Sequence, residues 1–185
     1  GQIDATVAQT LSNKEGNISA NQSVGIKAGS LDNSKGQIAS AKDAVKLTVQ
    51  QALLNQEGKV TAAKTLDVKA HSVDNQKGAL SGDVLNVVAS SGELNNHEGS
   101  LLSNTDSVIS AQGLDNRSGN IQSNGTVSMN TNGLVLDNQK GKVSANTLDI
   151  VSGDVINNQG ALSANNQLTI TAGNINSQSG TIQSG

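Results

Sequence analysis

Aliphatic and small residues alternate along the chain in short runs that return about every 20 positions. The clearest run follows a recurring glycine: the residue two positions after it is aliphatic and the residue four positions after it is small, as in Gly36 to Ser40. A second alternation comes a few residues later, as in Val45, Leu47 and Val49. A period of two is typical of β-strands with one buried side. The pattern therefore predicts at least two short strands in every repeat.

The motif Leu-x-Asn-x-x-Gly stands before the first of these strands and marks the repeats. Its glycines are 19 to 22 residues apart, and in a last, degenerate copy Ser177 replaces the asparagine. The asparagines are Asn13, Asn33, Asn55, Asn75, Asn96, Asn116, Asn138 and Asn157, and the glycines are Gly16, Gly36, Gly58, Gly78, Gly99, Gly119, Gly141, Gly160 and Gly180. A fixed period near 20 indicates one structural unit stacked on copies of itself.

Two or three short strands cannot bury a hydrophobic side alone, but parallel stacking of successive repeats gives them a shared core. We therefore predict an all-β fold, a right-handed parallel β-helix (β-solenoid) of about eight coils of 19–22 residues. Residues 1–185 are expected to form a single domain, a fragment of a longer repeat array. Helical repeats do not fit, because no segment shows the periodicity of an amphipathic helix. The leucine-rich repeat consensus has a different leucine spacing.

The recurring motif residues suggest structural roles. The glycine is expected at a turn, either at positive φ or where a side chain would clash with the next coil. Asparagines one coil apart are expected to form a ladder of side-chain hydrogen bonds along the rod. The residue before the glycine alternates in charge over the first five copies, which favours in-register stacking: Glu15, Lys35, Glu57, Lys77 and Glu98.

Composition narrows the function. The chain has no Phe, Tyr, Trp, Pro or Cys, which suits a thin core of stacked aliphatic layers and excludes disulfides. The net charge of −3 is spread singly, and a chain without basic runs or aromatic residues is not expected to bind nucleic acid. No apolar stretch of about 18 residues occurs, so this segment is not expected to insert into a membrane.

Candidate chemistry is sparse. Asp32, Asp74, Asp115 and Asp137 share one motif position, but they are dispersed among neutral residues and are expected to be exposed turn residues. His71 and His97 occupy different repeat positions, which argues against a metal site. We predict no catalytic, cofactor-binding or metal-binding residues and no enzyme activity; a polysaccharide-cleaving β-helix is the enzyme alternative. Irregular loops at 50–52 and 132–135 are where a partner could be recognised.

The repeat, read from Leu31 to Ser40 as Leu-Asp-Asn-Ser-Lys-Gly-Gln-Ile-Ala-Ser, resembles the haemagglutinin repeats of filamentous-haemagglutinin-like exoproteins. The resemblance covers nearly the whole chain. It implies a right-handed parallel β-helix stalk, secretion through an outer-membrane two-partner secretion transporter, and a place on the surface of a Gram-negative bacterium. Members include adhesins and contact-dependent growth inhibition toxins, and the repeats do not separate the two.

The pattern and the resemblance together predict a stalk or spacer that displays a distal receptor-binding or toxin region. The alternative is a direct adhesion module, in which one side of the rod binds host glycans or a cell-surface receptor.

Overall fold

Each turn of the chain is built from three short strands, and each strand pairs in parallel with its counterparts in the turns before and after. The computed structural model describes residues 1–185 and contains strands and turns but no helix. The result is a parallel β-solenoid of nine coils, one more than predicted, numbered here from the amino terminus. The predicted all-β stacked-coil fold is confirmed.

Three sheets run along the solenoid, and in coil 5 they are entered in the order A (β11, Val84–Ala89), B (β12, Leu94–Asn95) and C (β13, Ser100–Ser103). Four long strands turn a corner and belong to two sheets: β1 (Ile3–Ser12) and β3 (Val24–Asp32) join A to B, and β19 (Lys142–Val151) and β21 (Ala161–Thr171) join C to A.

The remaining strands of sheet A are β5 (Val45–Val49), β8 (Thr65–Ala70), β14 (Ser107–Ser110) and β17 (Thr126–Asn130). Sheet B adds β6 (Ala52–Leu54), β9 (Ser72–Asp74), β15 (Leu114–Asp115), β18 (Leu136–Asp137), β20 (Asp154–Ile156) and β22 (Asn174–Asn176). Sheet C adds β2 (Asn17–Ala20), β4 (Gln37–Ser40), β7 (Lys59–Ala62), β10 (Ala79–Gly82), β16 (Asn120–Ser123) and β23 (Thr181–Ser184).

The core is a set of aliphatic columns that run the length of the solenoid. In sheet A, Val24 pairs with Val45, Val45 with Leu66 and Leu66 with Leu85, and all four are at most 1% exposed. Burying one such side chain contributes roughly 1.5–3 kcal/mol. Because strand side chains alternate, slipping the register by one residue would expose a whole row.

The predicted third strand exists as sheet B. It carries the motif leucine inward and ends at the following residue, so that the motif asparagine begins the turn from sheet B to sheet C. This turn has the same length in every coil, whereas the corner between sheets A and B varies. Irregularity in the solenoid is therefore confined to the other corners, and the motif turn repeats faithfully.

Candidate functional site

The turn between sheets B and C stacks the motif asparagines into one continuous column. In each of seven consecutive steps, from Asn13 to Asn157, the side-chain Nδ2 donates to the Oδ1 of the asparagine in the next coil at 2.7 Å. Asn157 continues the column by donating to the Oγ of Ser177 at 3.0 Å. Seven of the eight asparagines are completely buried, and Asn13 in the first coil is nearly so.

Each amide also ties its own turn together. Asn75 Nδ2 lies 3.3 Å from the carbonyl of Gly78 in the same turn and 3.2 Å from the carbonyl of Ser100 in the next coil. The backbone closes the turn as well, because Gly78 N donates to Asn75 O at 2.9 Å. A buried amide has to find such partners, since leaving one unpaired costs about 1–3 kcal/mol. The column therefore provides hydrogen-bond partners for polar atoms that are buried at the corner between sheets B and C.

The motif glycine is required by close approach between coils. A Cβ atom added to Gly36 or Gly58 would overlap the backbone carbonyl oxygen of the asparagine in the preceding coil, and the same holds for every later motif glycine. None of these glycines has a positive φ, so that alternative expectation is wrong. The left-handed position is taken by the residue just before the glycine, at φ of 53° to 57° in all nine turns.

The charged side chains before the glycine therefore project from strained backbone positions. Among the alternating residues, Lys77 and Glu98 form an ion pair of 3.6 Å; the other neighbours in the column are farther than 4.0 Å apart. Both members of the pair are about half exposed, so the pair contributes no more than about 1 kcal/mol.

A second column, of aspartates and asparagines, lies one residue before the motif asparagine. The carboxylate Oδ1 of Asp32 accepts a hydrogen bond from the backbone N–H of Ser34 at 2.9 Å, and Asp74, Asn95, Asp115 and Asp137 repeat the arrangement. These hydrogen bonds, from the hydroxyl and the backbone N–H of Ser34, hold the pKa of Asp32 below its usual value. The sequence signal for this hydrogen bond is an Asp or Asn two positions before a turn residue, because its side-chain oxygen can accept from the backbone N–H of that residue.

The expectation that these aspartates are exposed turn residues is wrong, because each ends a strand of sheet B and is half-buried or, in the case of Asp115, buried. The expectation that they are dispersed is wrong for Asp115 and Asp137. They are paired directly in neighbouring strands of sheet B, and Asp115 is only 9% exposed. Arg117 offsets part of their negative charge: its Nη2 lies 2.6 Å from Asp115 Oδ2, and its Nε lies 3.9 Å from Asp137 Oδ2. Burial raises the pKa of Asp115, but the hydrogen bonds and charge of Arg117 outweigh burial and bring the pKa below its usual value.

Glu93 borders this column, and its pKa shifts in the opposite direction to that of Asp115. Partial burial, followed by the charges of Asp115 and Asp74, raises the pKa of Glu93 despite the opposing charge of Arg117. His97 lies in the motif turn of coil 5, and its Nε2 is 3.3 Å from Glu98 Oε1. The Nδ1 of His97 is buried and has no hydrogen-bond partner.

The histidine and carboxylate side chains do not cluster into a single site. His71 is exposed at the corner between sheets A and B, whereas His97 lies in the turn between sheets B and C. No group of three or more His, Asp or Glu side chains is arranged to hold a metal ion. What the geometry can do is mechanical: it locks one coil to the next.

The loop at 132–135, which sequence irregularity singled out, protrudes between sheets A and B in coil 7. Leu134 and Val135 are 50% and 41% exposed. The buried hydroxyls of Thr131 and Ser152 lie 2.6 and 3.0 Å from Leu134 O, and Asn132 Nδ2 donates to Ala111 O at 2.9 Å. The loop is therefore held in one conformation by contacts with the coils on both sides.

A rod of equivalent coils joined by a buried column of amides places this chain in the class of repetitive β-solenoids. A family model described as the haemagglutinin repeat matches residues 1–56, 44–98, 82–139 and 128–185. These matches span the whole chain, so the chain belongs to the haemagglutinin repeat family. Comparisons with curated proteins and with solved structures give no significant match.

This family consists of repeats from secreted bacterial surface proteins of the filamentous adhesin type, and two-partner secretion is the context that it implies. It is a structural and adhesive family that is not typically enzymatic. The chain has no helix long and apolar enough to cross a membrane.

Proposed function

We propose that this chain is a stalk segment of a large secreted surface exoprotein, and that it holds a distal receptor-binding or toxin region away from the cell. The observation that carries the proposal is the unbroken column from Asn13 to Ser177, which couples nine coils through a turn of constant length. At about 4.8 Å per coil, the nine coils make a rod roughly 43 Å long. The segment 1–185 would then be one part of a longer array of the same repeats.

The same contacts support export through an outer-membrane two-partner secretion transporter. Every coil completes its hydrogen bonds on the coil next to it, and the chain has no cysteine that would oxidise before folding. Coils that fold one after another outside the cell would bury apolar surface at about 25 cal/mol per Å² and so favour outward movement of the chain.

Binding assays with the purified chain separate a stalk from a binding module. We expect a glycan array and adhesion to host or target cells to be negative for the folded chain, with circular dichroism showing β structure to establish folding. Saturable binding by the folded chain would contradict a spacer role for this segment.

Direct adhesion is the second candidate, and the fixed loop at 132–135 favours it. Leu134 and Val135 place two adjacent exposed apolar side chains on a loop whose conformation is fixed by hydrogen bonds, and loops of this kind are where binding residues are most often found. In this case Leu134→Ser with Val135→Ser would abolish binding, whereas Gln50→Ser with Gln51→Ser, in the corresponding loop of coil 3, would leave it unchanged. Binding unaffected by the first pair would exclude this loop as the adhesive site.

A further inference from the structure

Two Asn-Gly pairs occur in the chain, one at each end of strand β17 in sheet A. Asn124 with Gly125 precedes the strand, and Asn132 with Gly133 follows it. Asparagine followed by glycine is especially prone to spontaneous deamidation, because glycine has no side chain to shield its backbone nitrogen from the neighbouring amide carbon. The two pairs differ in how firmly the fold holds the groups that would react.

The side chain of Asn124 is unrestrained. It is exposed and makes no hydrogen bond. The backbone N–H of Gly125, whose nitrogen would be the nucleophile, makes one hydrogen bond of 3.1 Å to the Oγ of Ser123. Gly125 is itself required by the fold, because an added Cβ would overlap the carbonyl oxygen of Thr105 one coil earlier. Packing between coils therefore places a glycine directly after an unrestrained asparagine.

The side chain of Asn132 is held although it is also exposed. Its Nδ2 donates to Ala111 O at 2.9 Å and to Ser110 Oγ at 3.3 Å, and its backbone N–H donates to Asn130 Oδ1 at 2.8 Å. The backbone has a φ of 51° here. To react, the side-chain carbon would have to approach the nitrogen of Gly133, which breaks these contacts. The fold therefore protects the second Asn-Gly pair.

Asn104 provides an internal comparison. It is the counterpart of Asn124 one coil earlier, since Ser103 pairs with Ser123 directly before them. Like Asn124, it is exposed and its side chain makes no hydrogen bond. The residue that follows is Thr105, whose β-branched side chain crowds the backbone nitrogen. The two asparagines thus share a corner of the solenoid and differ in the residue that follows.

We infer that Asn124 is a site of spontaneous deamidation in the folded rod, whereas Asn132 and Asn104 are not. The backbone nitrogen of Gly125 loses its proton to hydroxide and attacks the Cγ of Asn124. The new N–Cγ bond closes a cyclic imide, and the Cγ–Nδ2 bond breaks as the departing nitrogen takes a proton from water and leaves as ammonia, which regenerates hydroxide. Water then opens the ring at either carbonyl and gives aspartate or isoaspartate.

Either product should disturb the corner between sheets C and A. The carbonyl oxygen of Gly125 accepts from the backbone N–H groups of Asn146 and Thr147 in the next coil, at 2.8 and 3.2 Å. Isoaspartate adds one main-chain carbon just before Gly125 and so shifts this carbonyl. Aspartate places a second carboxylate near Asp106, whose Oδ1 borders Gly125, and like charges repel. Deamidation should therefore loosen the contact between coils 7 and 8 as the protein ages.

Peptide mapping by mass spectrometry tests the site. Trypsin cleavage after Arg117 and Lys140 releases both Asn-Gly pairs in one peptide, and fragmentation of that peptide assigns the modified residue. After incubation of the folded chain at mildly alkaline pH, we expect Asn124 to have converted at least about tenfold faster than Asn132 or Asn104. In urea the contacts of Asn132 are lost, so both Asn-Gly pairs should convert at similar rates while Asn104 stays slow.

The variant Asn124→Gln tests the consequence. Glutamine keeps the exposed amide, but its longer side chain closes a ring slowly, so the variant should age without change at this corner. We expect incubated wild-type chain to unfold at a lower urea concentration than fresh chain, and Asn124→Gln to lose less. An Asn124 that stays intact in the folded chain, or an Asn132 that reacts as fast, would overturn the assignment of the site. Equal ageing of the two proteins would overturn its effect on the corner.

Discussion

At the scale of single residues, the molecule depends on side chains whose importance comes from position more than from chemistry. Asn96 illustrates this: it is fully buried, accepts from Asn75 and donates to Asn116, both at 2.7 Å. An amide is suited to this place because it both donates and accepts along one axis. A carboxylate or a methyl group would satisfy at most one neighbour.

We expect Asn96→Ala to lower the free energy of unfolding by about 2–4 kcal/mol, because it removes the 2.7 Å hydrogen bond that Asn75 donates and leaves the Oδ1 of Asn116 without its donor inside the core. Urea denaturation followed by circular dichroism measures the change. Asn124→Ala is the matched control: this asparagine is exposed and its side chain makes no hydrogen bond, so the change should stay within about 0.5 kcal/mol. Equal losses for the two variants would show that the column contributes nothing to stability.

Substitution should affect stability strongly at one residue of the turn and weakly at the residue before it. Gly119→Ala would press a methyl group into Asn96 O of the preceding coil, and we expect a loss of more than about 3 kcal/mol or a failure to fold. Ser118 has a φ of 53°, so Ser118→Gly removes backbone strain while adding freedom to the unfolded chain, and the net change should stay within about 1 kcal/mol. Thermal melts of both variants would check this, and a greater loss for Ser118→Gly would reverse the assignment of the two positions.

At the scale of strands and turns, parallel in-register pairing places like residues over like, and this creates repulsion as well as order. Asp115 and Asp137 are neighbours in sheet B for this reason, and Arg117, the single arginine of the chain, lies where it can contact both. Elsewhere in the same column Asn95 follows Asp74 and donates to it at 3.1 Å, which avoids a second pair of stacked charges.

Arg117→Gln should destabilise the chain at neutral pH by about 1 kcal/mol or less, since the ion pairs are partly exposed. Arg117 lowers the pKa of Asp115 in the folded state, so the stability it provides is present above the pKa of the unfolded carboxyl and disappears as the pH falls through the folded value. Urea titrations over acid to neutral pH should therefore show the gap between the two proteins closing in acid. A gap independent of pH would mean that Arg117 acts by packing alone. Lys64→Gln, at the exposed pair with Asp43, serves as the control and should have a smaller effect.

Much of this fold follows from the sequence, because hydrophobic alternation and a constant glycine spacing leave one economical way to bury the aliphatic residues. The column of asparagines follows from the same constant spacing, because equivalent residues of successive coils lie one above the other. Two features did not follow. The positive φ belongs to residues such as Glu57 and Lys140, which have no intrinsic preference for it; only the contact between Gly58 or Gly141 and the coil before explains why the strain falls there. The expectation that Asp115 and Asp137 are dispersed is wrong because residues at one motif position in consecutive coils become neighbours in space, however far apart they are in sequence.

At the scale of the whole molecule, a coil contacts only its neighbours, so stability should be nearly a sum of coil and interface contributions. Deleting residues 96–115 removes one complete repeat and joins Asn95 directly to Asn116, so every column continues in register. We expect this variant to keep its β circular dichroism, to unfold at a somewhat lower urea concentration, and to be shorter by about 4.8 Å in small-angle X-ray scattering.

Deleting residues 96–105, half as many, is the control that separates register from length. It removes one motif asparagine and its glycine but leaves the sheet A strand of the next coil, so inward and outward side chains no longer match across the junction. We expect this shorter deletion to be far more damaging than the longer one. If both variants were equally stable, stacking in register would not be what holds the rod together, and a stalk built from interchangeable coils would no longer be a tenable description of this chain.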